Sequence, residues 1–221
     1  MPRRALVENR PWLLAAITAA LAFYFLRENS LAGLQPIGGT WLILLKGAAV
    51  GSLALYALRR CRAHDAWILA AALALSALGD MAIELWFEAG GALFFASHLA
   101  ALSLYLRNLR PHPTSSQKAL GVALLIATPL ACWQISGSGQ VGLYGLALGG
   151  MAAAAWMSRF PRYRVGTGAV LFVFSDLLLF AGSGPLQAGV VPDLLVWPLY
   201  FSGQFLIATG VIQTLRRDHQ A

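Results

Sequence analysis

The sequence predicts an all-α membrane protein, a polytopic transmembrane helical bundle of about eight helices. Three observations carry that reading. Hydrophobic residues make up 58% of the chain. Charged residues make up only 11%, against roughly 25% in a soluble globular domain. Apolar windows long enough for a bilayer core of about 30 Å recur along the chain with little spare sequence between them. No segment between them is long enough to fold alone, so residues 1–221 read as one integral membrane domain.

The first span, 12–26, is short, and Arg27 beyond it can snorkel to the interface. The second, 39–58, contains Lys46 and runs into Arg59, Arg60 and Arg62. The third and fourth, 66–86 and 89–106, carry Asp80 and His98. The fifth and sixth, 119–136 and 140–158, flank and include GSGQVGLYGLALGGMAAAAW, where Gly145, Gly149 and Gly150 allow close helix approach in lipid. That tract is read as packing. The seventh, 166–182, contains Asp176, and the eighth, 194–214, contains Tyr200 and Gln204. Gly166 and Gly168 follow no strand and lack P-loop spacing, which argues against nucleotide binding.

The net charge of +7 is explained by topology. Arg3, Arg4 and Arg10 precede the first span, and further basic residues follow every second one: Arg59, Arg60 and Arg62; Arg107, Arg110 and Lys118; Arg159, Arg162 and Arg164; Arg216 and Arg217. Fourteen of the sixteen Lys and Arg residues thus fall on one side, which the positive-inside rule makes cytoplasmic, with both termini. Arg27, Glu28, Glu88 and Asp193 fall on the other. The partner is the lipid bilayer and not nucleic acid, because no basic cluster interleaves with aromatic residues. The first span lacks a small-residue cleavage site and is read as retained. Cys61 and Cys132 form neither a disulfide framework nor a CxxC pair and are read as structural. Compactness, short loops and the lack of targeting signals point to a bacterial inner membrane.

Within the apolar spans a carboxylate costs several kcal/mol unless paired or used, which makes Asp80 and Asp176 the candidate acid/base pair. Helical rise puts Asp80 about 22 Å and Asp176 about 15 Å from the cytoplasmic side. It puts His98 about 14 Å and Lys46 about 10 Å below the outer surface. These overlapping depths predict convergence on one polar site. Ser76, Asp80 and Glu84 are spaced to line one helix face, Tyr200 and Gln204 form another i, i+4 pair, and Ser175 precedes Asp176. Simpler roles compete: Lys46 can snorkel to the interface or serve in a supporting ion pair, Glu84 can reach headgroups, and His98, Tyr200 and Gln204 can link helices. A metal is not favoured, since no HExxH or clustered-His spacing occurs. A Ser/His/Asp hydrolase fits poorly, because adjacent helix residues point about 100° apart and no GxSxG elbow is present.

At these residues the chain resembles the YhhN-like lysoplasmalogenases, eight-span membrane hydrolases. The likeness lies in SALGD at 76–80, FEAGGALFFASH at 87–98, GAVLFVFSDLLLF at 168–180 and YFSGQFLIATG at 200–210. It departs where Lys46-Gly47 stands in place of a Lys-Pro pair, and where a tyrosine follows His98 only at Tyr105. The resemblance implies hydrolysis of the vinyl ether of an alkenyl-type lysophospholipid by Asp80 and Asp176, with no metal or organic cofactor. Such cleavage needs one protonated carboxyl and one carboxylate, much as in glycoside hydrolysis. Intramembrane Asp and His also build proton relays, so the competing readings are a proton-coupled small-molecule or lipid transporter and a non-catalytic membrane lipid-binding protein. Inverted repeats would favour transport, and no convincing repeat relates the two halves.

Overall fold

The computed structural model describes residues 10–27, 39–183 and 190–218. Eight α-helices lie among them: α1 Arg10–Leu26, α2 Thr40–Arg60, α3 His64–Ala82, α4 Phe87–Arg107, α5 Ser115–Ser136, α6 Gly139–Met157, α7 Thr167–Gly182 and α8 Val190–Asp218. A π-helical turn, Arg162–Gly166, leads into α7. Each helix falls on an expected span. Six regions are long and apolar enough to cross a membrane: α2, α3, α4, α5, α8 and α7 with its π turn. This makes the chain an integral multi-pass membrane protein. The sequence predicts eight spans; α1 is shorter, and in α6 Gln140 and the glycines lower the mean hydropathy. Arg3, Arg4 and Glu28 lie outside the described residues.

Lipid-facing surfaces explain the large apolar side chains left uncovered. Trp41, Trp67 and Trp86 are exposed at or beside helix ends, where indole rings suit the membrane–water interface. Helices in lipid gain no hydrophobic advantage from association, so small residues and close contacts hold them together.

The residues gather into two compact units, one holding the chain up to Ser97 and from Leu215, the other His98–Thr214. In the first, α1 packs on α2 and α2 on α3. α4 runs back along α3, where Phe94 covers Gly79 and Ser97 meets Ser76 at 2.8 Å. One expectation fails here. The sequence predicts a third span reaching 86, with Glu84 continuing the Ser76–Asp80 face, but α3 ends at Ala82 and Glu84 lies in the turn beyond it. There Ala82 O accepts from both Leu85 and Trp86 N–H groups, closing a tight connection, and Gly90 lies so near Ile83 that an added Cβ would be 2.6 Å away.

In the second unit α5 and α6 form an antiparallel hairpin. Thr114 and Gln117 cap the start of α5 reciprocally. Gly137, at φ 67°, ends it in the left-handed conformation that lets the chain reverse within two residues. Gly145 and Gly149 then bring α6 onto α5, where an added Cβ would be 2.8 Å from Cys132 Cβ and 2.6 Å from Leu124 O respectively. α7 and α8 meet backbone to backbone at Gly168 and Gly203. The α4–α5 and α6–α7 connections are joined by the Leu109–Ser158 bridge. There Arg159 Nε donates to Asn108 Oδ1 at 2.7 Å. Arg110 and Arg159, which the charge pattern put on one side, therefore share one end of this unit.

Candidate active site

On α7, Gly168, Phe172, Asp176 and Phe180 recur every four residues, all buried, and so form one stripe. Gly168 at its foot lets α8 approach, Phe172 meets the Tyr200 ring of α8 edge-on at 5.0 Å, and Phe180 meets the Tyr144 ring of α6 at 5.4 Å. Asp176 is thereby held between aromatic groups, 5% exposed.

Its polar partners come from two further helices. The Tyr144 hydroxyl donates to Asp176 Oδ2 at 2.6 Å. The same hydroxyl lies 2.9 Å from His98 Nε2 on α4. His98, 1% exposed, stands 3.7 Å from Asp176 Oδ2, beyond direct hydrogen-bond distance, so the phenol bridges acid and imidazole. Edge-on contacts with Tyr144 at 5.2 Å and Phe172 at 5.0 Å fix the imidazole ring. With its one hydrogen given to Asp176, Tyr144 can only accept from His98, which then carries its proton on Nε2.

The pairing of His98 with Asp176 agrees with the overlapping depths read from the sequence; Tyr144 was missed. The small-residue tract predicts packing, which Gly145 and Gly149 do serve, yet Tyr144 turns to α7. A lone phenol amid glycines in an apolar helix was the available signal.

The remaining candidates divide. Tyr200, beside Phe172, and Gln204, one turn on, are both buried on α8. Ser175 is buried but donates to Val196 O at 2.9 Å, tying α7 to α8. In the first unit Asp80 is 2% exposed, one turn beyond buried Ser76. Ser97 donates to Ala72 O at 2.8 Å and so accepts from Ser76, which occupies the hydroxyl a serine nucleophile would need. Lys46 and Glu84 form an ion pair at 2.5 Å, with Lys46 5.5 Å from the Phe23 ring centre. Among the described residues no three His, Cys, Asp or Glu side chains are grouped to hold a metal.

Within the second unit, a buried carboxyl linked to an imidazole through a phenol is an arrangement chemically able to pass a proton out of contact with bulk water. A family model, the YhhN family, matches residues 41–211, more than three quarters of the chain, and spans Lys46, Asp80, His98, Tyr144 and Asp176. No curated protein and no solved structure matches the chain.

Proposed function

The chain belongs to the YhhN family, and on that premise we propose that it is a lysoplasmalogenase. This membrane hydrolase cleaves the vinyl ether of an alkenyl-glycerophosphoethanolamine or alkenyl-glycerophosphocholine, giving a fatty aldehyde and the glycerophospho-base. The observation that carries the reading is Asp176, buried and joined through Tyr144 to His98. A structural aspartate needs only a hydrogen-bond donor. One linked to a second titratable group is equipped to exchange protons.

The chemistry asks for two carboxyls, assigned to Asp80 and Asp176. One, protonated, gives its proton to the alkene carbon remote from oxygen, and the ether oxygen's lone pair forms the oxocarbenium ion. Water adds to the cationic carbon while the second carboxylate takes its proton. The hemiacetal hydroxyl then returns a proton to the first carboxyl as the carbon–oxygen bond breaks. The second carboxyl protonates the departing glyceryl oxygen. One water is consumed and both acids are restored, a sequence that needs neither metal nor organic cofactor.

Supporting roles are assigned to His98, Ser175, Tyr200 and Gln204 for Asp176 and to Ser76 for Asp80, and the Lys46–Glu84 pair is assigned to the charged headgroup. The lysophospholipid substrate enters from the bilayer, and the membrane is a bacterial inner membrane with both termini in the cytoplasm.

The test is aldehyde release from purified protein given alkenyl-lysophospholipid, beside Asp80→Asn and Asp176→Asn. The reading expects release by the parent and a loss of about 10²–10⁴-fold in each variant. Release unaffected by both substitutions removes the mechanism. Folded parent protein inactive on every vinyl ether removes the activity and leaves transport or binding.

A further inference from the structure

We infer that Tyr144 is a positioning residue that passes a proton between His98 and Asp176, so that the Asp176 carboxyl changes protonation state without changing the net charge of the three side chains. The reaction this serves rests on the hydrolase reading above; the relay itself rests on the geometry.

Three distances define it: 2.6 Å from Tyr144 Oη to Asp176 Oδ2, 2.9 Å from Tyr144 Oη to His98 Nε2, and 3.7 Å from His98 Nε2 to Asp176 Oδ2. A phenol has one hydrogen, so with both bonds made, one flanking group must donate to it. Two arrangements satisfy this. In one, an imidazolium donates from Nε2 to Tyr144, which donates to the Asp176 carboxylate. In the other, the Asp176 carboxylic acid donates from Oδ2 to Tyr144, which donates to neutral His98 protonated on Nδ1. Two protons each moving one bond convert the first into the second, and the trio is neutral in both. Burial makes that neutrality matter, since an isolated buried carboxylate or imidazolium is costly whereas their exchange through Tyr144 leaves no uncompensated charge. Both of these contacts fall on Oδ2 of the carboxyl. Among the described residues, the Cys132 thiol of α5 and the Tyr200 phenol of α8 also lie within electrostatic reach of Tyr144.

Tyr144→Phe deletes the bridge and keeps the ring that packs on His98 and Phe180. On alkenyl-lysophospholipid, kcat should fall about tenfold to a hundredfold with KM changed less than about threefold. Tyr144→Phe/His98→Gln should be no slower than the slower single variant, because the residues act as one unit. An independent readout is the infrared band of a protonated carboxyl, assigned to Asp176 by its loss in Asp176→Asn. Its titration should change in Tyr144→Phe and, in the same direction, in His98→Gln. Unchanged kcat, additive losses or an unmoved band in Tyr144→Phe would overturn the relay. The infrared arm needs no substrate, so parent protein that releases no aldehyde defeats the hydrolase reading and leaves the relay to be judged by the band.

Discussion

Tyr144 and Asp176, thirty-two residues apart on α6 and α7, are joined by a hydrogen bond of 2.6 Å. That length lies within the range of about 2.5–2.7 Å for a hydroxyl donating to a charged oxygen. The neighbouring serine points elsewhere, its hydroxyl 2.9 Å from Val196 O. Asp176 therefore takes its polar support from another helix and not from Ser175.

This division predicts how two adjacent substitutions separate. Ser175→Ala removes a buried bond to α8 and should cost about 1 kcal/mol of stability, with aldehyde release per folded molecule within about twofold of the parent. Asp176→Asn keeps the side-chain shape and should release little aldehyde while melting near the parent. Equal activity losses in the two variants would instead mark Ser175 as part of the chemistry.

Among the described residues each helix falls on an apolar window, because these windows are bounded by charge or by Gly and Pro, though only six regions are long and apolar enough to cross a membrane. Hydropathy failed at the end of α3, where Leu85, Trp86 and Phe87 prolong the apolar run through a turn made by backbone bonds to Ala82. Glu84 therefore leaves the face shared by Ser76 and Asp80. Tyr144 was hidden for another reason: its glycine neighbours serve α5 while the phenol, turned to another side, serves α7. The four-residue spacing of Gly168, Phe172, Asp176 and Phe180 was present in the sequence, but only packing shows which helices it addresses. Gly47 makes a similar point. Where the family resemblance leads one to expect proline, an added Cβ would sit 2.6 Å from the Met81 side chain and 3.2 Å from Ala77 O, so a larger residue there requires Met81 to shift.

Lys46 and Glu84 should behave as a rim pair. Their side chains are 14% and 40% exposed, so solvent and salt screen an attraction that geometry alone would make large. A double-mutant cycle with Lys46→Met and Glu84→Gln should give a coupling below about 1 kcal/mol in thermal denaturation, smaller still at high salt. A salt-insensitive coupling of several kcal/mol would require a drier setting than the structure gives.

Tyr105 offers a stability prediction of the opposite sign. Its ring is fully buried, edge-on to Phe160 at 6.2 Å, and its hydroxyl has no hydrogen-bond partner among the described residues. A buried polar group without a partner costs about 1–3 kcal/mol. Tyr105→Phe keeps the ring and removes that cost, so the melting temperature should rise. A lower melting temperature would mean that the hydroxyl is satisfied in the membrane by a group such as water.

The α7–α8 crossing ties stability to the site. A Cβ added at Gly203 would stand 2.6 Å from Gly168 O and 3.3 Å from Phe172 N, both backbone atoms that cannot move aside as a side chain could. Gly203→Ala must push α7 away from α8, at a cost of about 1–3 kcal/mol by analogy with overpacked cores. Phe172, one turn beyond Gly168, packs against His98 at 5.0 Å, so the displacement reaches the imidazole and activity should fall along with the melting temperature. Gly91 supplies the contrast. It lies in α4 with nothing within 4 Å of an added Cβ, and Gly91→Ala should gain up to about 1 kcal/mol from helix propensity. If Gly203→Ala melts like the parent and keeps its aldehyde release, then the two backbones do not touch as described, and Phe172 does not owe its position to that contact.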